Sequence, residues 1–172
     1  MSDQHLERLD GLHGCIHRPA LLLVERCLLK LHRKLLIVQG WRSIQDQMLI
    51  YQKGRTLNRE TNEWEISDAT AIVTKAKPGL SAHNVITRHG EWASMALDVI
   101  PLTVDGKPDW DVDDDFFDNL YEIAWEVGLD PLGDPIGSYL AGDKGHFEEP
   151  GFRHKMSDLN LIFPVADFPS GA

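Results

Sequence analysis

The chain has 172 residues, 42% of them hydrophobic and 26% charged, enough for one domain with a buried core and short for two. Seventeen basic residues against twenty-seven acidic ones leave a formal charge of −10, which disfavours non-specific binding to nucleic acid or to an anionic membrane. The two cysteines, Cys15 and Cys27, lie in Leu-rich sequence without a C-x-x-C pairing, so both read as small buried thiols and a disulfide framework is excluded.

The N-terminal stretch 1–10 is polar and acidic, and the apolar stretch 20–36 is interrupted by Glu25, Arg26, Lys30, His32, Arg33 and Lys34. Neither a signal peptide nor a membrane span fits this pattern, and synthesis in the cytoplasm without Sec export is expected. From Pro19, placed as at a helix start, Leu21, Val24, Leu28, Leu31 and Leu35 recur at helical spacing and predict a core-facing helix. The β-branched run 35–38 ending at Gly40 predicts a strand. Ser43 as cap, with Asp46 three residues on, predicts a second helix terminated by Gly54.

The polar segment 56–72 reads as an exposed loop or a short hairpin, followed by a turn at Pro78 and Gly79 that leads to Ser81 and His83. Residues 93–100 alternate as in a strand, with Met95, Leu97 and Val99 on one face and Ala96, Asp98 and Ile100 on the other. Asp98 is a lone carboxylate on an apolar strand, where burial without a partner is costly. A third helix starts at Asp113 or Asp114 and carries Phe116, Phe117, Leu120, Ile123, Ala124 and Val127, with Gly128 past its end. Its acidic start, Asp111 to Asp118, reads as capping and dipole compensation rather than a calcium loop. The Gly-, Pro- and Asp-rich stretch 130–145 predicts a long surface loop of the kind that often carries function. One further strand is expected around 159–165, in the tail 150–172.

His83, Asp98 and His146 offer two imidazoles and a carboxylate, a donor set suited to a zinc ion with one open position for water. Asp143, three residues before His146, offers a second carboxylate that could move that water's proton. Eight histidines and many carboxylates allow other combinations; His5, His13, His17 and His32 carry little functional weight, His89 and His154 somewhat more. The five tryptophans, Trp41, Trp64, Trp92, Trp110 and Trp125, read as core or loop anchors, with Trp92 the candidate for a substrate contact.

The words around these residues narrow the choice. Ser81-Ala82-His83-Asn84, then Ala96-Leu97-Asp98, then Asp143-Lys144-Gly145-His146-Phe147-Glu148 resemble the signature of the zinc peptidase family that contains VanY-like D-Ala-D-Ala carboxypeptidases and L-alanyl-D-glutamate endopeptidases, many of them phage endolysins. Upstream, Gln39-Gly40-Trp41-Arg42-Ser43, Gln47 and Gly54-Arg55-Thr56 resemble the family's Gly-aromatic-Arg segment and the helix after it. The resemblance covers about residues 12–148.

It implies that His83, Asp98 and His146 hold one Zn2+, that Asp143 is the general base and acid, and that Arg42 faces the reacting carbonyl or a substrate carboxylate. Ser81 matches a serine lining the substrate site and also fits a plain turn role. The common motif sets His and Asp seven positions apart; here they are fifteen apart, with 85–92 as an insertion that contains His89, for which a ligand swap with His83 is a minor alternative. The implied fold is α+β, a single domain over 1–172 with helices packed on a mostly antiparallel sheet, hedgehog/DD-peptidase-like, with a zinc cleft. The implied activity is cleavage of an amide bond in the peptide stem of bacterial peptidoglycan, at the L-alanyl-D-glutamate bond, by a monomeric phage endolysin acting at the cell wall. A D-Ala-D-Ala carboxypeptidase and a non-catalytic zinc module, similar to the hedgehog signalling domain, are the alternatives.

Overall fold

The computed structural model describes residues 8–131 and 144–165. His5, Asp143 and most of the expected loop at 130–145 lie outside the described residues. Helix α1 spans Gly14–Leu31, five residues earlier than Pro19 suggested. The His13 ring accepts the Cys15 N–H at its start, and His32 closes its end in the left-handed region at φ 54°. Pro19 sits inside the helix, where its ring nitrogen offers no hydrogen to the Cys15 carbonyl. The buried stripe is Ile16, Ala20, Leu23 and Cys27. Of the expected stripe, Leu21, Val24 and Leu31 flank the core half-buried, Leu28 is 45% exposed and Leu35 belongs to the next strand.

Strand β1, Leu35–Gln39, pairs antiparallel with β5, Ala96–Pro101, and β5 pairs antiparallel with β6, His146–Glu148. The register sets Gln39 and His146 on either side of Asp98, and Ala96 opposite Glu148. A bulge between Ile37 and Gln39 ends the regular ladder of β1 just where the chain turns into Gly40-Trp41-Arg42. Helix α3, Asp114–Val127, is capped by Asp113, whose carboxylate accepts the Phe116 N–H, and ends at Gly128 with φ 87°. The acidic run is therefore a helix start, as its sequence implied.

Two apolar clusters divide the interior. The larger joins α1, α3, β1, β5 and β6 through Ile16, Leu23, Ile37, Leu97, Leu120 and Phe147. The smaller gathers Ala82, Val85, Met95, Ala96, Phe152 and Leu161. It unites the turn Ala82–Asn84 with a hairpin built from the 85–92 insertion, whose strand β4, Ile86–Thr87, pairs antiparallel with β7, Leu161–Ile162, in the tail. Helix α4, Phe152–Lys155, supplies Phe152 to this cluster. Helix α2, Ile44–Tyr51, starts at the Ser43 cap but stops short of Gly54, and the expected hairpin of the 56–72 segment forms from β2, Arg55–Asn58, one residue earlier, and β3, Glu63–Ile66. Leu97 and Val99 face the larger cluster while Ala96 faces the smaller, so β5 is covered on both sides. Among the described residues no helix is long and apolar enough to cross a membrane.

Candidate metal centre

His83, Asp98 and His146 meet where the two clusters join. His83 follows Ala82 of the smaller cluster, His146 precedes Phe147 of the larger, and Asp98 lies on β5 between Leu97 and Val99 of the larger and two residues beyond Ala96 of the smaller. One donor atom from each of the three lies within 4.8 Å of the others. Fifteen residues of separation between His83 and Asp98 do not prevent contact, because the insertion folds back on itself: Thr87 N–H donates to the Glu91 carbonyl and Ala93 N–H to the Val85 carbonyl. His89 is exposed at the tip of this hairpin and is not part of the group.

Each ring has a front and a back. His83 is nearly sealed from solvent, with its Nε2 3.2 Å from Asp98 Oδ1 and its Nδ1 2.7 Å from the Gly40 carbonyl. His146 turns its Nδ1 to the same Oδ1 at 3.0 Å and its Nε2 to Glu148 Oε2 at 3.3 Å. Arg42 donates to Asp98 Oδ2 at 3.3 Å and to Gln47 Oε1 at 3.0 Å. The Gln47 side chain is fully buried and in turn donates to the Ala76 carbonyl, while the Arg42 and His83 backbones join at 2.9 Å. Burial pushes the Asp98 carboxyl up, but the charge of His83 and the hydrogen bonds from His146 and His83 outweigh it and hold Asp98 well below the usual carboxylate range.

Two close approaches fix this geometry. A side chain at Gly40 would bring its Cβ to 2.2 Å from the Arg8 carbonyl oxygen, and one at Gly145 would reach 2.2 Å from that of Val99. Only glycine lets the chain pass there, so the Gly40 carbonyl stays behind His83. Gly145 in turn accepts the Val99 N–H just before His146. Tyr121 donates to the Lys144 carbonyl and braces the same segment from α3.

The remaining expected site residues have definite places. Ser81 is buried and its hydroxyl accepts the His83 N–H, so it caps the turn that carries His83. Trp92, 59% exposed, stacks on Trp41 with ring centres 4.8 Å apart and an angle of 12°. This contact ties the insertion to the Trp41-Arg42 segment. Trp110 and Trp125 are exposed rather than anchors of the core. Glu148 and Asn84 were missed as parts of the site. Asn84 is fully buried, donates to the Arg42 carbonyl at 2.8 Å and accepts the Gly79 N–H at 3.1 Å. The strand period that pairs 146 with 148 on one face was the signal for Glu148.

The donor set fits a small divalent ion. Two donors each about 2 Å from a tetrahedral zinc lie about 3.3 Å apart, close to the 3.0 and 3.2 Å that separate the ring nitrogens from Asp98 Oδ1. Carbonyl and carboxylate oxygens only accept, so a ring hydrogen directed at the Gly40 carbonyl or at Glu148 leaves the other nitrogen of that ring, the one that faces Asp98, to donate to an ion.

No family model matches the chain, and no curated protein matches it in sequence. Among solved structures it is similar to the L-Ala D-Glu endopeptidase ChiX of Serratia marcescens, with a TM-score of 0.53 and 16% identity over 90% of this chain and 91% of that one. It is also similar to the vancomycin resistance D,D-pentapeptidase VanY of a VanB-type cassette, solved as an E175A mutant with Zn(II), with a TM-score of 0.54 and 14% identity over 86% of this chain and 78% of that one. VanYB in complex with D-alanine-D-alanine aligns with the same score and identity over 86% and 76%. The chain has the α+β fold of these peptidases, the architecture that its motifs implied.

Proposed function

We propose that this chain is a zinc-dependent peptidase that hydrolyses an amide bond in the peptide stem of bacterial peptidoglycan, with the L-alanyl-D-glutamate bond as substrate and phage-encoded lysis as its setting. The observation that carries this reading is the convergence of His83, Asp98 and His146 beside Arg42, in a fold shared with ChiX and VanY. The three side chains are the proposed ligands, and one domain is proposed to span the whole chain. A bound zinc ion supplies a Lewis acid and brings the pKa of its water to about 7.

The residues of the chain do the rest. Asp143, outside the described residues, takes a proton from the attacking water and returns it to the amine nitrogen as the C–N bond breaks. The Arg42 guanidinium, held by Gln47 and Asp98, has further N–H donors to steady the negative charge that develops on the carbonyl oxygen. Ser81 and Trp92 are proposed to border the substrate, Ser81 through the turn that it caps and Trp92 from the rim.

D-Ala-D-Ala carboxypeptidase activity is the second reading, because VanYB is solved with that dipeptide and a guanidinium beside the centre would suit a terminal carboxylate. Mass spectrometry of the fragments that the zinc-loaded protein releases from purified Gram-negative peptidoglycan separates the two. Stem peptides that begin at D-glutamate, absent when the zinc is chelated, are the expected product. Free D-alanine would establish the carboxypeptidase instead, and no product from a zinc-loaded protein would point to the non-catalytic module.

A further inference from the structure

Glu148 has no part in the steps above, yet it is buried against the metal group. On β6 the side chains of residues 146 and 148 share a face while Phe147 turns into the larger cluster. Glu148 is 8% exposed and lies opposite Ala96, a fully buried alanine. Its backbone is locked by paired bonds with Asp130, 2.9 Å in each direction. A carboxylate in such surroundings is costly unless it is paired, and its Oε2 lies 3.3 Å from His146 Nε2. The adjacent Glu149 is engaged elsewhere, with Lys155 at 2.7 Å.

The two imidazoles are therefore held from behind by different groups: His83 at Nδ1 by the Gly40 carbonyl, His146 at Nε2 by a carboxylate. We propose that Glu148 is a positioning residue for the metal centre, accepting the His146 Nε2–H so that Nδ1 is the nitrogen that faces the ion. This role rests on the zinc reading above. A carboxylate behind a ligating imidazole fixes its tautomer and raises its basicity, and loss of such a partner costs about 10–100-fold in metal affinity.

The test uses the full chain as wild type, Glu148→Gln and Glu148→Ala, with zinc affinity measured by chelator competition and the ring nitrogens of His146 followed by 15N NMR in the zinc-loaded protein. Glu148→Ala is expected to weaken zinc binding by about 10–100-fold and to blur the pattern of a metal-bound Nδ1 with a protonated Nε2. Glu148→Gln keeps an acceptor oxygen, so it should preserve that pattern and recover part of the affinity. Should the alanine variant fail to fold, Glu148→Asp, one methylene shorter, takes its place with the same expected direction. Unchanged affinity and NMR pattern in the alanine or aspartate variant would overturn the role, as would a metal-bound Nε2 in the wild type. A second carboxylate in the zinc X-ray absorption spectrum that disappears in Glu148→Ala would overturn it by making Glu148 a ligand. A wild type that takes up no zinc would overturn the metal reading itself, and this role with it.

Discussion

The two histidines of the centre stand in contrasting surroundings. His83 is on the side of the smaller cluster, 4% exposed at its side chain, in a turn whose cap, backbone and ring are all tied to neighbouring main chain. His146 is on the side of the larger cluster, 20% exposed, on a three-residue strand, with a carboxylate on each ring nitrogen. Asp98 joins them from β5, the strand common to both clusters. The difference shows that one donor can be fixed by backbone packing and the other by side-chain charge, and that the distance between them depends on how the clusters abut.

The largest expected effects remove the junction itself. Asp98→Ala and His146→Ala should each lose stoichiometric zinc by elemental analysis after dialysis, because two donors hold the ion poorly; full metal content in either would remove that residue from the ligand set. Asp143→Ala should behave oppositely, retaining zinc while peptide turnover disappears. Unchanged turnover would take Asp143 out of the mechanism.

Gly40→Ala should act on the His83 side alone. The added methyl has to displace either the Arg8 carbonyl or the Gly40 carbonyl that holds the ring, so zinc affinity should fall by about 10–100-fold in a calorimetric titration. An unchanged affinity would show that the backbone behind His83 yields without consequence.

The smallest effect compares the clusters through their thiols. Burial pushes the Cys27 thiol, in the larger cluster, up to about 12. Burial, with the nearby Glu149 charge, pushes Cys15, against the smaller one, up to about 11. Thiolates are the reactive form, so Cys15 should be alkylated before Cys27 in the native protein at pH 9. A raised thiol pKa makes the contribution to stability complete below the unfolded value and lost as pH rises towards the folded one. Unfolding midpoints should therefore fall between about pH 9 and 12, and a flat profile there would contradict the burial of Cys27 and the partial burial of Cys15.

Much of this was legible in the sequence where local chemistry is decisive. Ser43, Asp113 and Gly128 cap helices as their types demand, and Asp98 stood out as a carboxylate on an apolar strand. The stripe of α1 was misplaced because residues 21–24 and 28–29 are all leucine or valine, so several helical faces fit equally. Its start was misplaced because Pro19 fits a first turn, while the actual cap, His13, is an uncommon one. Glu148 stood in the motif beside His146 with no role of its own, because only the pairing of β5 with β6 buries it. The Gly40 carbonyl carries no side-chain signal at all; its role emerges from the packing of the bulged end of β1 against the His83 turn.

The proposed ion sits between the clusters, held by His83, Asp98 and His146. Zinc X-ray absorption on the metal-loaded wild type, with His83→Ala as the comparison, tests it most directly. The expected result is one zinc per chain with two imidazole nitrogens and one carboxylate in its shell, and loss of the bound metal in the variant. A shell that lacks imidazoles, or one unchanged when His83 is removed, would contradict it.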